Sequence, residues 1–329
     1  MKGIHHILIQ NKRVRYEFDI RRNITVIRGD SATGKTTLID MVRERIDNGE
    51  ASSVDLNCDK ECYVVDGATW KGQLSVIHDG IVFIDEGNPF VSSAEFSRII
   101  RDTDNYYVIV SRESLPNLPY SVDEVYGIHS SGRHGRLKQT YHEFHRIYGD
   151  KIITDSIKPD TVIVEDSNSG FQFFDTLCNE VDIQCLSAEG KSNIHSVLKK
   201  CGENEILVIA DGAAFGSEMD RMSKYMKERK YVNLYLPESF EWIILKSGII
   251  EISNLKNILE APSDYIESSE FFSWEQFFTR ILTDNTQKTY MRYTKSKLNE
   301  SYLSTYNRQS ILDVMDMINL KKDDTGDIL

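Results

Sequence analysis

Gly29-Asp30-Ser31-Ala32-Thr33-Gly34-Lys35-Thr36 fits G-x-x-x-x-G-K-[ST] in full, and Thr37 follows it. That spacing suits a phosphate cradle. Glycines let backbone amides curl around phosphate oxygens with no Cβ in the way. The N-terminus of a following helix adds positive potential at the same place. Lys35 then reaches the β- and γ-phosphates of a nucleotide, and the Thr36 hydroxyl ligates Mg2+. The expected cofactors are therefore ATP and Mg2+, with Gly29 through Thr37 as the nucleotide-binding residues.

Ile81-Val82-Phe83-Ile84-Asp85-Glu86 supplies a second half. Four apolar residues make a buried strand, and Asp85 at its carboxyl end can join Thr36 in the magnesium shell. Glu86 is placed to polarise the attacking water. Arg112 ends another apolar strand, where it is a candidate γ-phosphate sensor. A surface salt bridge is the competing reading for it.

A second acidic pattern lies downstream. Thr161-Val162-Ile163-Val164-Glu165-Asp166 and Glu205-Ile206-Leu207-Val208-Ile209-Ala210-Asp211 are apolar strands ending in carboxylates. In a parallel sheet both ends fall on one edge. Glu165 and Asp211 are thus candidate ligands of one hard divalent cation, with Glu165 as general acid or base for phosphodiester chemistry. The alternative is that these acids are solvated strand ends or helix caps. Tyr290, Arg292, Tyr293, Lys295 and Lys297 interleave rings and cations, which suits base stacking or an amphipathic helix.

Short β-rich runs alternate with helical patterns throughout, the mark of an α/β architecture. The phosphate loop needs a strand before it and a helix after it. Asn23–Arg28 and Lys35–Asp47 meet that need, preceded by strands at Ile4–Gln10 and Val14–Asp19. Further strands are expected at Glu61–Val65, Ile81–Asp85, Tyr106–Ser111 and Val122–His129, with helices at Ser92–Arg101 and Leu137–Tyr148. A boundary at Gly149-Asp150-Lys151 divides the chain into domains 1–150 and 151–329. The second series runs strand Asp160–Glu165, helix Ser169–Glu180, strand Asp182–Ser187, helix Lys191–Lys200, strand Glu205–Asp211, helix Glu218–Lys230, strand Tyr231–Leu236 and helix Ser239–Lys246. From Ser269 the pattern turns helical and polar, ending in a charged tail from Lys321.

The 329 residues are 40% hydrophobic and 27% charged, enough apolar side chain for a sizeable core. A net charge of −12 argues against coating nucleic acid by bulk charge. The five cysteines do not read as a disulfide framework, and Cys58 and Cys62 lack a second Cys/His pair at finger-like spacing. No apolar run of about 18 residues is present, so no membrane partner is expected and the expected location is cytoplasmic.

The stretch from the early strands through ITVIRGDSATGKTTLIDMV to IVFIDEG resembles the ABC-type ATPase core used in repair and phage-defence proteins. The resemblance implies nucleotide, magnesium and catalytic-glutamate roles for Lys35, Thr36, Asp85 and Glu86. The 47 residues between Thr37 and Asp85 are too few for that family's helical subdomain, and no LSGGQ-like signature lies among them. Asp160–Pro237 resembles a TOPRIM domain, the fold of topoisomerases, primases and overcoming-lysogenisation-defect (OLD) nucleases. Glu165 matches that family's glutamate and Asp211 its first aspartate, while Ala213 stands at the second.

Together these resemblances imply a P-loop NTPase domain joined to a TOPRIM-like α/β domain with a helical C-terminal extension. The function implied is an ATP-binding, ATP-hydrolysing protein whose nucleotide state controls a Mg2+-dependent nuclease domain acting on DNA or RNA, in phage defence. The alternative is an ATP-dependent switch with a non-catalytic second domain that docks a partner protein. A homo-oligomer is compatible with either.

Overall fold

The computed structural model of the chain describes residues 1–29, 33–130, 140–149 and 156–320. The chain divides into two compact units, Met1–Asp150 with Glu260–Ser273, and Lys151–Leu259 with Trp274–Leu329. Both are α/β.

The first unit opens with an antiparallel hairpin of β1 (His5–Gln10) and β2 (Val14–Ile20). Its turn is set by Asn11, whose Oδ1 accepts the N–H groups of Arg13 and Val14 at 2.8 and 2.9 Å. Ile7, Ile9, Tyr16, Phe18 and Ile20 alternate inward, the period-2 pattern of a half-buried sheet. β3 (Ile24–Arg28) is buried along its whole length. α1 (Lys35–Asn48) follows and buries Leu38, Ile39, Met41 and Val42, a helical apolar stripe.

Next come β4 (Asp55–Asn57), β5 (Cys62–Val64), α2 (Trp70–Leu74) and β6 (Ile81–Ile84). α3 (Ala94–Ile100) is capped by Ser93, whose hydroxyl accepts from Phe96 N. β7 (Tyr106–Val110), β8 (Val125–Ser130) and β9 (Thr140–Arg146) complete the unit. Among the described residues the sheet has nine strands in the order β4-β1-β2-β9-β8-β3-β7-β6-β5. The run from β8 through β5 is parallel, and β9 turns antiparallel against β8.

The edge strands β4 and β5 are separated by only Cys58–Glu61. A flat nine-strand sheet would put them about 38 Å apart at ~4.8 Å per strand. The link between them spans at most roughly 18 Å. The sheet therefore curls, and α1 fills the curl, packed against β1, β4 and β5. Its four buried apolar residues join Ile7, Ile9, Tyr16, Phe18, Ile81, Phe83 and Val108 in one core. Glu260–Ser273 belongs to this unit through Gly3 N to Ser263 O, Ser268 N to Met1 O, and Asn23 Nδ2 to Ser268 O.

One expected element is of the other type. The helix expected over Leu137–Tyr148 is instead strand β9 over Thr140–Arg146. Residues 137–139 lie outside the described residues. β9 is held on both sides, by β8 and by β2, and cross-strand stacking of Phe144 on Phe18 and His142 on Tyr16 outweighs helical spacing.

The second unit carries β10 (Thr161–Val164), α4 (Ser169–Glu180), β11 (Gln184–Ser187), α5 (Ile194–Leu198), β12 (Ile206–Ile209), α6 (Met219–Glu228), β13 (Val232–Tyr235) and α7 (Phe240–Lys246). Its sheet is all parallel, ordered β11-β10-β12-β13. α8 (Leu255–Glu260), α9 (Trp274–Thr286) and α10 (Thr305–Leu312) follow. Between α9 and the short 3-10 turn at Glu300, residues 287–299 form turns and coil, so the amphipathic helix considered around Tyr290–Lys297 is not formed. The charged tail from Lys321 lies outside the described residues.

Candidate functional site

The phosphate-loop candidates fall where strand order reverses. The chain builds β5, β6 and β7 on one side of β3, then crosses to place β8 on the other. Open α/β sheets bind ligands at such a point, outside the carboxyl ends of the strands. Gly29 leaves β3 at that edge and Lys35 opens α1.

Asp30, Ser31 and Ala32 lie outside the described residues; the rest of the loop can be placed. Gly29 has φ +146° and Gly34 φ +91°, both in the region that favours glycine. Gly34 is also hemmed in. A Cβ there would lie 2.8 Å from the Tyr16 hydroxyl and 2.9 Å from His142 Cε1. Tyr16 donates its hydroxyl to the Gly34 carbonyl at 2.8 Å and stacks on His142 at 4.5 Å between ring centroids. Burial pushes the Tyr16 phenol up to about 12, so it stays a neutral donor. His142 is held in turn by Ser130 Oγ at 3.1 Å from Nδ1. Strands β2, β8 and β9 thus brace the loop from one side. No sequence motif announces Tyr16 or His142; they meet Gly34 only through strand pairing.

Lys35 is buried at 4% exposure, with Nζ donating to Gly29 O at 2.7 Å and Thr33 Oγ1 at 3.0 Å. Its ammonium thus bridges the two ends of the loop. Thr36 and Thr37 stand exposed in the first turn of α1. No side chain among the described residues caps that turn, and it holds no acid.

Two strands away, Asp85 and Glu86 leave the carboxyl end of β6, and Arg112 follows β7, which lies between β6 and β3. All three strand ends share the loop's edge of the sheet. Asp85 is half-buried, and its Oδ1 accepts Glu86 N at 2.8 Å. Burial, then the neighbouring Glu86 and Asp40, raise its pKa against the pull of Arg43. An extra cation nearby would relieve that crowding. Glu86 does not stand alone. Arg112 Nε donates to its Oε2 at 2.8 Å and Arg112 Nη2 to its Oε1 at 2.5 Å.

In the second unit Glu165 follows β10 and Asp211 follows β12, neighbouring parallel strands on either side of another reversal in strand order. The structure brings them together: Asp211 N donates to Glu165 Oε2 at 2.9 Å. They line a cavity of about 20 Å³ with Asp166, Phe174, Pro237 and Phe240, room for one water-sized occupant. Burial raises the pKa of both acids, and Glu275, Glu165 and Glu241 push Asp211 higher still. Gly212 is required here, because a Cβ would lie 2.8 and 2.9 Å from the Leu236 and Pro237 carbonyl oxygens.

A magnesium ion is poorly served by this donor set. Asp166 Oδ1 is committed to α4, accepting Asn168 N at 3.1 Å and Phe171 N at 2.8 Å. Ala213 offers no side-chain oxygen, and Asp220 pairs with Lys224 one turn along α6. Among the described residues no group of three or more His, Cys, Asp or Glu is set to hold a metal. The chain brings its own cations instead. Lys295 pairs with Glu275 and lies in the field of Glu241 and Asp211, which raises its pKa; Lys191 opposes the charge of Glu165. Tyr293, a candidate for base stacking or for an amphipathic helix face in the sequence, is buried and donates to Glu241 at 2.8 Å, while Ser169 Oγ lies 2.7 Å from the same hydroxyl. Against known proteins, the sequence matches no family model and no curated protein.

Proposed function

We propose that the chain binds and hydrolyses ATP at the Gly29–Thr37 loop, and that its nucleotide state governs what the second unit docks. The observation that carries the nucleotide half is the shared sheet edge. There Lys35 lies across the loop, while Asp85 and Glu86 emerge beside it on an unrelated stretch of sequence. Lys35 would neutralise the β- and γ-phosphates, Thr36 and Asp85 would hold magnesium, and Glu86 would take a proton from the attacking water.

For the second unit, docking is favoured over Mg2+-dependent nucleic-acid cleavage. What supports this is the commitment of Asp166 to a helix cap and the presence of Lys295 among the carboxylates.

Purified protein with Mg2+ and ATP is expected to release phosphate, and Glu86→Gln to slow release by about a hundredfold or more. Plasmid DNA and total RNA are expected to stay intact with Mg2+ or Mn2+, with or without ATP. No phosphate release from wild type would remove the hydrolysis claim. Cleavage that disappears in Glu165→Ala would replace docking by a nuclease.

A further inference from the structure

The Glu86–Arg112 pair is built in an unusual place for a surface salt bridge. Arg112 leaves β7, the strand between the one that carries the loop and the one that carries Asp85 and Glu86. Its guanidinium engages both carboxylate oxygens of Glu86, at 2.8 and 2.5 Å. Forked pairs of this kind are directional as well as charge-assisted. Yet the side chains are 56% and 27% exposed, so water competes with the pair and a stronger anion can displace it. The acid best placed to activate water is therefore aimed at a cation.

We propose that Arg112 is a latch on Glu86 that the γ-phosphate of ATP opens. This rests on the ATP reading of the loop. A terminal phosphate carries more charge than a carboxylate and offers oxygens that match the guanidinium fork. Drawn to it, Arg112 leaves Glu86 facing the nucleotide. Water then adds to the γ-phosphorus while the bond to the β,γ-bridging oxygen breaks. ADP leaves with that electron pair, and Glu86 takes the proton lost by the water. ADP has no γ-phosphate and leaves the latch shut, so the glutamate is released only with a hydrolysable nucleotide in place.

The test is a double-mutant cycle on nucleotide affinity, with ATP and ADP titrated in the presence of Mg2+ against wild type, Glu86→Gln, Arg112→Gln, the double variant and Lys35→Ala. Neutralising Glu86 removes the carboxylate that competes for Arg112. Glu86→Gln is therefore expected to bind ATP about threefold to tenfold more tightly than wild type, with ADP changed by less than about twofold. In the Arg112→Gln background that gain disappears. A Glu86→Gln gain that is equal for ATP and ADP, or that persists without Arg112, reports simple charge removal and overturns the latch. So does unchanged ATP affinity in Glu86→Gln. If wild type binds ATP no better than Lys35→Ala, the nucleotide reading fails and the latch falls with it. If Lys35-dependent binding is present and the cycle is additive, only the latch fails.

Discussion

Gly34 shows how one residue joins backbone strain, packing and chemistry. Its φ of +91° is costly for any side chain, and the space a Cβ would take is filled by Tyr16 and His142. Gly34→Ala is expected to lower stability by about 2 kcal/mol, from left-handed backbone strain plus displacement of the stacked rings. Urea denaturation of the variant beside wild type measures this, and an unchanged midpoint would mean the rings give way freely. The loop between β3 and α1, with Gly34 and Lys35 in it, was readable from spacing alone, because a strand–loop–helix turn is a local structure. Tyr16 and His142 were not, since 125 residues separate them and only pairing of β2 with β9 unites them. Arg112 was readable as a strand-end cation. Its grip on Glu86 was not, because nothing in either segment specifies the other.

At the scale of elements, long apolar runs and their order were legible, and short or doubly paired strands were not. β3, β6, β7, β10 and β12 are buried β-branched or aromatic runs, and each stands within a residue or two of its expected place. β4 has only three residues and no period to read. In 137–148, Leu137, Tyr141, Phe144 and Tyr148 recur at helical spacing, but partners on both sides of β9 decide the outcome.

The turn before β8 carries a consequence for pH. Glu124 is buried at 1% exposure, accepts from Thr25 Oγ1 at 3.3 Å and lies 3.9 Å from Arg22. Burial raises its carboxyl from 4.5 to about 7. Between those pH values the folded chain keeps a proton that the unfolded chain has lost, so stability falls as pH rises through the window. The loss is on the order of 3 kcal/mol at ~1.4 kcal/mol per pH unit. Thermal denaturation from pH 4.5 to 8 is expected to show this decline in wild type and a flatter profile in Glu124→Gln. Parallel profiles would show that Arg22 holds the carboxylate charged throughout.

In both units a run of parallel strands presents a carboxyl edge that gathers charge where strand order reverses. In the first unit the edge gathers a loop, a lysine and acids. In the second, Lys295 and Lys191 balance the acids from within the chain. Strand-end carboxylates were visible in sequence, whereas their internal counter-charges were not, because Lys295 lies 84 residues beyond Asp211 in an irregular segment. The central claim is that the first edge is a nucleotide site. Calorimetric titration of wild type and Lys35→Ala with ATP and Mg2+ tests it most directly. Saturable one-site binding in wild type, weakened about a hundredfold or lost in the variant, is the predicted result. Equal binding by both proteins, or none by wild type, would contradict it.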